Sequence, residues 1–308
     1  MLKEVSSKTY FEHFPVAPHP FISEPFIEFN SRKAEEIVRL IDDGGKPAIG
    51  LVAGIRNGEL LSPFSAPFGG FHFQKENIYI YEIDNFISSL KAFIESKKLK
   101  GIRLTIPPDI YHLSFNAKII NSLIRYGFST ILPDITNWVD LKQFNGEFNQ
   151  KNSREYYRQA VRNNLSFALT DEINEKKEIF DLIQQNRARF NRPIYMSFDE
   201  IIRMNDLWPV DFFRVNSENG EMVASAIFYR NDPEICYAVF WGDNETGRPL
   251  RAMDFLILNL WLHYKNLGLN YIDLGISTES GDPNIGLLRF KETHEATSSL
   301  RYSVAWKA

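Results

Sequence analysis

The sequence has 308 residues, and its 35 Lys and Arg against 39 Asp and Glu give a formal net charge of −4. This length predicts two domains or one large domain, able to bury enough apolar surface to fold without a metal or disulfide staple. The single cysteine, Cys236, excludes an intrachain disulfide and a zinc site built on cysteines. The mild acidity argues against a protein that coats nucleic acid, so no DNA partner is expected.

The N-terminal residues show no unbroken apolar run and no small-residue cleavage site, so no signal peptide is predicted. The most apolar stretch, residues 255–262, is far shorter than the ~20 residues that span a bilayer. We therefore expect no membrane span and a cytoplasmic location.

The first half of the chain alternates helical and strand patterns. Residues 1–30 are rich in Pro and Phe with little periodicity, and we interpret them as an extended N-terminal arm. After this arm, the hydrophobic pattern and the Asn57-Gly58 turn predict helices over 31–43, 85–99 and 116–126 and strands over 46–55, 59–64, 102–106 and 129–141.

The second half repeats this order. A helix capped near Asn152 is followed by predicted helices over 174–190, 198–205, 254–266 and 284–292 and strands over 212–215, 222–229, 235–241, 271–274 and 300–306. Four pairs of landmarks recur at nearly constant spacing: Asn57-Gly58 with Asn219-Gly220, Phe86 with Phe255, Asn116 with Asn284, and Trp138 with Trp306. This recurrence suggests duplication of one α/β unit.

Sequence motifs of several enzyme classes are absent. The chain contains no Walker A loop, no G-x-S-x-G elbow, no H-E-x-x-H motif and no G-x-G-x-x-G motif. The six histidines do not pair at a helical ligand spacing, so no metal site is expected. His263, in an apolar helix, and Cys236, in a strand, are interpreted as core residues.

A basic stripe is the first candidate binding feature. Arg154, Arg158 and Arg162 are spaced to share one helical face, and Lys151 lies just before that helix. Guanidinium groups bind phosphates and carboxylates through their forked donors. The alternative is a solvated basic face that pairs with nearby acidic residues.

Two further segments are candidates. A polar, Gly-rich loop after the strand at 271–274 leads into a helix that carries Lys291, and such crevices and helix N-termini favour anionic ligands. The alternative is an ordinary loop with an exposed lysine. Gly69 and Gly70, which follow Ser62-Pro63-Phe64, form either a structural turn or the floor of a cleft.

Together these features resemble the Fem-type branch of the GNAT acyltransferase superfamily, which includes the bacterial peptidoglycan-bridge aminoacyltransferases. The resemblance covers most of residues 31–308, and its most specific element is Gly286-Leu287-Leu288-Arg289-Phe290-Lys291. It implies an α/β (α+β) protein with two tandem GNAT-like units, over 31–145 and 146–308, each a mixed, mostly antiparallel sheet flanked by helices. It also implies an acyl- or aminoacyltransferase whose amine acceptor is a small molecule or a cell-envelope precursor.

The resemblance leaves the acyl donor open. Ordinary GNAT enzymes bind acyl-CoA through a Q/R-x-x-G-x-G/A loop, and this sequence offers Arg248, Arg251 and Ala252 without the central glycine. Family members often have Phe-Gly after the Phe-Lys pair, whereas Glu292-Thr293 stands here. No long charged insertion resembles a tRNA-holding arm. Acyl-CoA and aminoacyl-tRNA both remain as co-substrates, and no tightly bound cofactor is expected.

The resemblance also implies a mechanism. A deprotonated amine attacks a thioester or ester carbonyl, and backbone N–H groups of a splayed strand stabilise the oxyanion. Lys291 would bind a phosphate or the reacting carbonyl, and Asp243 or Glu245 would relay the amine proton. The candidate substrate-binding residues are Lys151, Arg154, Arg158, Arg162, Gly69, Gly70, Ser277, Asn284, Gly286 and Phe290.

Two alternatives stay open at this point. One is an acetyl-CoA-dependent N-acetyltransferase of a small amine, and the other is a tandem GNAT-like protein that binds a ligand without turnover. The first unit is expected to be a pseudo-domain that shapes the acceptor side. Replacement of Lys291 by Met is expected to remove activity and to leave the melting temperature nearly unchanged.

Overall fold

A computed structural model describes residues 1–42 and 44–308. These residues form two compact units. Unit 1 comprises Met1–Thr136, Thr278–Pro283 and Ser299–Ala308, and unit 2 comprises Asn137–Ser277 and Asn284–Ser298. Each unit is an α/β structure with a mixed, mostly antiparallel sheet, so the predicted fold class is confirmed.

Unit 1 begins with small helices and continues as a sheet flanked by two long helices. Its elements in residues 1–136 are β1 (Leu2–Glu4), α1 (Ser7–His13), α2 (Glu24–Asn30), β2 (Glu36–Asp42), β3 (Ile49–Arg56), β4 (Glu59–Ser62), β5 (Phe71–Phe73), α3 (Ile80–Ser96), β6 (Gly101–Thr105), α4 (Asp109–Arg125) and β7 (Ser129–Asp140), which continues into unit 2. Strands β1 to β4 pair antiparallel in sequence order, β5 pairs with β3, and β6 joins β4 in parallel.

Unit 2 contains the second set of elements. They are α5 (Lys151–Arg162), β8 (Ser166–Thr170), α6 (Ile173–Ala188), α7 (Phe198–Arg203), β9 (Val210–Asn216), β10 (Met222–Tyr229), β11 (Ile235–Asp243), α8 (Ala252–Asn266), β12 (Tyr271–Ile276) and α9 (Ile285–Thr293). The hairpin of β13 (Thr278–Glu279) and β14 (Asp282–Pro283) belongs to unit 1, as does most of β15 (Thr297–Lys307), which pairs antiparallel with β6. The sheet order in unit 2 is β8-β9-β10-β11-β12, and the β11–β12 pair is parallel.

The interpretation of residues 1–30 as an extended arm was wrong. These residues form α1 and α2, and Tyr10, Phe11 and Phe14 are buried in an aromatic cluster of unit 1. The three aromatic residues follow the spacing of one helical face, which brings them to the core together. The high Pro content masked this short periodicity.

The predicted helix over residues 31–43 was also wrong. Residues Glu36–Asp42 are strand β2, paired along its length with β3, and Val38 and Leu40 lie in the core. The segment is rich in β-branched residues, and its alternation at 38 and 40 fits a strand. Asp43, the last residue of the predicted helix, lies outside the described residues.

The two units repeat one order of elements. Strands β2, β3 and β4 with α3, β6, α4 and β7 correspond to β9, β10 and β11 with α8, β12, α9 and β15, and the parallel pair falls at the same place. Trp138 and Trp306 occupy the same position along β7 and β15. The proposed match of the two Asn-Gly turns was wrong, because Asn57-Gly58 joins β3 to β4 whereas Asn219-Gly220 lies between β9 and β10.

Unit 1 buries two histidines in its aromatic core. His19 is 2% exposed and its Nε2 donates to the Gly69 carbonyl at 2.9 Å, while Nδ1 of His72 lies 2.9 Å from the Tyr10 hydroxyl. Burial lowers the pKa of each imidazole from 6.5 to about 3. Between these two pH values the unfolded chain binds protons that the folded chain excludes, so stability decreases as the pH falls through this window.

We expect the free energy of unfolding to decrease as the pH is lowered from 6.5 to about 3. The variant His72→Asn keeps an amide partner for Tyr10 but binds no proton, so its unfolding should take up about one proton fewer in this window. Urea unfolding at a series of pH values measures this slope. The variant of the partly exposed His13, His13→Asn, is the control and should keep the wild-type slope. A wild-type slope in His72→Asn would contradict the assignment.

Candidate active site

The parallel strands β11 and β12 separate at the middle of the sheet of unit 2. They pair over Ile235–Tyr237 and Tyr271–Asp273, and in the described part of the chain no pairs join them beyond these residues. Ile227 pairs with Phe240 whereas Phe228 pairs with Ala238, so Val239 is an extra residue in β11. Such a bulge bends its strand and leaves a residue outside the ladder. Residues 237–241 are accordingly half-buried, although β11 is an interior strand.

Lys291 satisfies the backbone of β12 beyond this point. Its Nζ donates to the carbonyl oxygens of Leu274, Gly275 and Ile276 at 2.8, 3.0 and 3.0 Å, and the residue is 2% exposed. Successive carbonyls of a regular strand point to opposite sides, but Gly275 has a φ of +65°, which breaks that alternation. Three consecutive carbonyls can therefore converge on one ammonium group.

The environment of Lys291 opposes its charge. Burial lowers the pKa of Lys291 from 10.5 to about 7, while the nearby Asp273 raises it. Because its three donors are used within unit 2, Lys291 fixes the end of β12 in this structure. Its predicted role in binding a phosphate or a carbonyl stays a prediction.

Asp243, at the end of β11, lies in a network of polar side chains. Its Oδ1 accepts a hydrogen bond from Asn186 Nδ2 at 3.0 Å and lies 3.5 Å from Arg189 and 3.6 Å from Arg248. Burial raises the pKa of this carboxyl, although both guanidinium groups lower it. Glu245 is 85% exposed and pairs loosely with Arg189 at 3.9 Å. The two predicted proton acceptors therefore differ strongly in environment.

The basic stripe of α5 is mostly solvent-exposed. Arg158 and Arg162 both pair with Glu155, at 3.8 and 2.9 Å, and their side chains are 62% and 63% exposed. Arg154 turns back and donates to the Phe148 and Asn149 carbonyls. The helix starts at the exposed Lys151 with Gln150 as its N-cap, so the predicted cap at Asn152 was two residues late.

The predicted loop residues lie in two different units. In unit 2, Asn284 caps α9 by accepting from Leu287 N, and its own N–H donates to the Ser277 carbonyl at 2.8 Å. Gly286 is exposed in the first turn of α9. In unit 1, Gly69 and Gly70 fold tightly over Ser62, and a Cβ on Gly69 would lie 2.6 Å from the Ser62 hydroxyl. Close packing therefore explains Gly69, and a φ of +107° explains Gly70.

The start of α8 carries the residues predicted to hold CoA. Arg251 precedes the helix in a left-handed conformation with φ +60°, and its guanidinium packs 3.7 Å from the Tyr156 ring centroid. Ala252 is fully buried. Arg248 is paired with Asp243. Both arginines therefore already have partners within the protein.

A buried acid–base pair was not found from the sequence. Asp254, in the first turn of α8, lies 3.1 Å from Nε2 of His294, and Nδ1 of His294 donates to the Phe290 carbonyl at 2.6 Å. The Phe290 ring lies 4.3 Å from the His294 ring and 6.3 Å from Trp241 of β11. Asp254 and His294 are 40 positions apart, so no local spacing could have joined them.

Solved structures resemble this chain over most of its length. FemX aligns with a TM-score of 0.68 at 11% identity over 100% of this chain and 97% of its own. The C-terminal domain of a putative lysylphosphatidylglycerol synthetase from Agrobacterium fabrum gives 0.56 at 14% identity over 89% and 85%. A tandem GNAT protein from the clavulanic acid biosynthesis pathway gives 0.55 at 10% identity over 100% and 98%.

These similarities define the fold. The chain shares a tandem GNAT-like fold with FemX and with the tandem GNAT protein, so the resemblance inferred from the sequence is confirmed for the fold. No family model matches the sequence, and no curated protein matches it. Of the helices in the described chain, none has the length and apolar character needed to traverse a membrane.

Lys291→Met should destabilise the protein, which revises the expectation of an unchanged melting temperature. Methionine fills similar space but leaves three buried carbonyls without their donor, and an unsatisfied buried acceptor costs about 1–3 kcal/mol. Chemical denaturation measures the loss. The control Lys177→Met removes an exposed pair with Asp181, and such a pair contributes about 0–1 kcal/mol. Equal stability of the two variants would show that the ammonium does not hold β12.

Proposed function

We propose that unit 2 transfers an acyl or aminoacyl group to an amine acceptor beside the separated part of β11. The observation that carries the proposal is the parting of β11 from β12 beyond Tyr237, with the bulge at Val239. A strand without a partner on one side offers backbone N–H groups, and fixed N–H donors stabilise the oxyanion of acyl transfer.

The reaction needs no covalent enzyme intermediate. The amine nitrogen attacks the carbonyl carbon of a thioester or ester, a C–N bond forms, and the carbonyl oxygen becomes an oxyanion. Collapse of this intermediate breaks the C–S or C–O bond, and the departing thiolate or alkoxide takes a proton. The enzyme contributes by positioning the two substrates and by stabilising the oxyanion.

Asp243 is the better candidate for the group that removes the amine proton. A general base works best when its pKa lies close to the working pH, and burial raises the pKa of Asp243 towards that range. It also lies at the end of β11, the strand whose separated part forms the proposed site. Glu245 is highly exposed, which gives no means of placing it against a substrate.

Three observations favour an aminoacyl ester over acyl-CoA as the donor. Arg248 is engaged by Asp243, Arg251 is packed on Tyr156, and the Asp254 carboxylate occupies the first turn of α8. A carboxylate at that place opposes the binding of a diphosphate. The shared fold with a putative lysylphosphatidylglycerol synthetase supports an aminoacyl group as the cargo and a cell-envelope precursor as the acceptor.

The proposal is tested with defined donors and acceptors. Purified protein is incubated with acetyl-CoA or with charged tRNA and a nucleotide-linked cell-wall precursor, and the precursor mass is followed. We expect an increase of one aminoacyl residue with charged tRNA and none with acetyl-CoA. Acetylation with acetyl-CoA would support the small-amine acetyltransferase instead. If no donor reacts and none shifts the melting temperature, the chain is a binding protein without turnover.

Two lysine variants distinguish a role of Lys291 in positioning β12 for catalysis from a contribution to the stability of the protein alone. Lys265 donates to the Leu141 and Phe144 carbonyls, so Lys265→Met also removes carbonyl donors, but near the start of β12 and not at its separated end. We expect Lys291→Met to lower kcat by about 10²-fold, because a shift of β12 would misplace the proposed site, and Lys265→Met to keep kcat at temperatures where both are folded. Equal losses would assign Lys291 to folding alone.

Asp243→Asn should lower kcat by roughly 10²–10⁴-fold, the contribution of a general base. Glu245→Gln is the matched control, because it removes a carboxylate two positions away and should leave kcat within about twofold. The acidic limb of the pH–rate profile should disappear in Asp243→Asn and persist in the control. Full activity of Asp243→Asn would remove this residue from the mechanism.

A further inference from the structure

Arg187 lies in the last turn of α6, next to the open part of β11. Its guanidinium packs 5.4 Å from the ring centroid of Phe240, and its Nε donates to the Arg192 carbonyl at 3.1 Å. The side chain is half-buried. Phe240 belongs to the stretch of β11 that has parted from β12. Ring packing and the Nε bond therefore fix the guanidinium beside the proposed reaction site.

Arg187, which is half-buried, differs from three arginines whose side chains are buried more deeply. Arg39, Arg214 and Arg301 have side chains 11%, 16% and 10% exposed, and each forms an ion pair with a carboxylate, namely Glu28, Glu175 and Asp134. Within residues 1–42 and 44–308, no carboxylate forms an ion pair with Arg187, and its Nη atoms make no hydrogen bond. This half-buried charge thus has no carboxylate counterion within the described chain.

This arrangement is unfavourable in the free protein. Desolvation and the nearby positive charge of Arg192 both lower the pKa of Arg187, yet a guanidinium remains protonated at any physiological pH. A partly desolvated charge without a counterion costs some stability, and proteins retain such costs mainly at functional sites. An oxyanion placed against Arg187 would supply the missing counterion and relieve the repulsion by Arg192.

We propose that Arg187 binds an oxyanion of the acceptor, either a carboxylate or a phosphate group, beside the separated part of β11. The identification of the ligand as the acceptor rests on the proposed transfer reaction. The anion site itself does not require turnover. The free Nη edge of a guanidinium presents parallel N–H groups that match two oxygens of such a group. The acceptor thus carries an anionic group in addition to its reacting amine.

Anion binding is tested by thermal unfolding of the purified chain in sodium phosphate, sodium succinate and sodium chloride at equal ionic strength. The variants are Arg187→Gln, Arg187→Lys and the control Arg203→Gln, an exposed arginine at the end of α7. We expect wild type and Arg203→Gln to show an extra rise in melting temperature with phosphate or succinate. The rise should be lost in Arg187→Gln and reduced in Arg187→Lys, which keeps the charge without the fork.

The same measurement separates the alternatives. A response to phosphate alone points to a phosphorylated acceptor, and one to succinate alone points to a carboxylate. Without added anion, Arg187→Gln should melt at or above the wild-type temperature, because an unpaired buried charge is removed. Equal anion responses in all variants, or a lower melting temperature of Arg187→Gln with the wild-type anion response, would overturn the site.

The outcome is independent of the transfer reaction because no acyl donor is present. An Arg187-dependent anion response in a protein that transfers no acyl group would remove the proposed function and keep the site. Transfer activity without any Arg187-dependent anion response would keep the proposed function and remove the anion site. In an active protein, Arg187→Gln should raise KM for the anionic acceptor at least tenfold and leave kcat within about threefold. The reason is that a lost binding contact weakens the bound ground state and the transition state equally.

Discussion

The separation of β11 and β12 depends on the way in which the backbone of β12 is satisfied. A buried carbonyl needs a donor, and in a sheet the neighbouring strand normally supplies it. Beyond Asp273 the ammonium group of Lys291 serves the three carbonyls instead, and the left-handed conformation of Gly275 lets them converge. One lysine and one glycine thus allow an interior strand to part from its neighbour without unsatisfied carbonyls. The proposed oxyanion site and the open face of β11 both depend on Lys291, whose side chain takes the place of hydrogen-bond donors from a neighbouring strand.

The charged residues around β11 fall into two groups, those that have a partner within the protein and one that has no counterion in the described chain. Asp243 and its two arginines, and Asp254 with His294, are compensated within the protein. In the second pair, Asp254 lies in the first turn of α8, where the helix dipole favours a negative charge, and its Oδ1 lies 3.1 Å from Nε2 of His294. Arg187 has no such compensation in the described chain. Among these positions, an anionic ligand would therefore gain the most electrostatic stabilisation by binding beside Arg187.

Local patterns predicted most of the elements because their signals are local. The amphipathic repeat of α3, the Asn57-Gly58 turn and strands β9 to β12 of unit 2 were found from spacing alone, whereas β8 was missed. Residues 36–42 failed because pairing with β3 decided their conformation, and residues 7–13 failed because a short helix gives few repeats. At the site, the sequence pointed to Lys291 but not to its carbonyl acceptors. Arg187 carried no signal at all, because the lack of a counterion is a property of the tertiary structure.

The repeat between the units allows the parallel pair β4–β6 of unit 1 to be compared with β11–β12 of unit 2. In unit 1, β4 pairs with β6 along its whole length, from Glu59 to Ser62. Helix α4 corresponds to α9, and the position two residues before its end is Leu123, where α9 has Lys291. Leu123 is fully buried among apolar side chains and cannot donate a hydrogen bond. In unit 1 the carbonyl of Thr105, the last residue of β6, accepts instead from the Gly69 N–H at 2.9 Å, so no side-chain donor is needed there. The two units thus differ at one buried position, where unit 1 has an apolar leucine and unit 2 has a lysine that donates to three strand carbonyls.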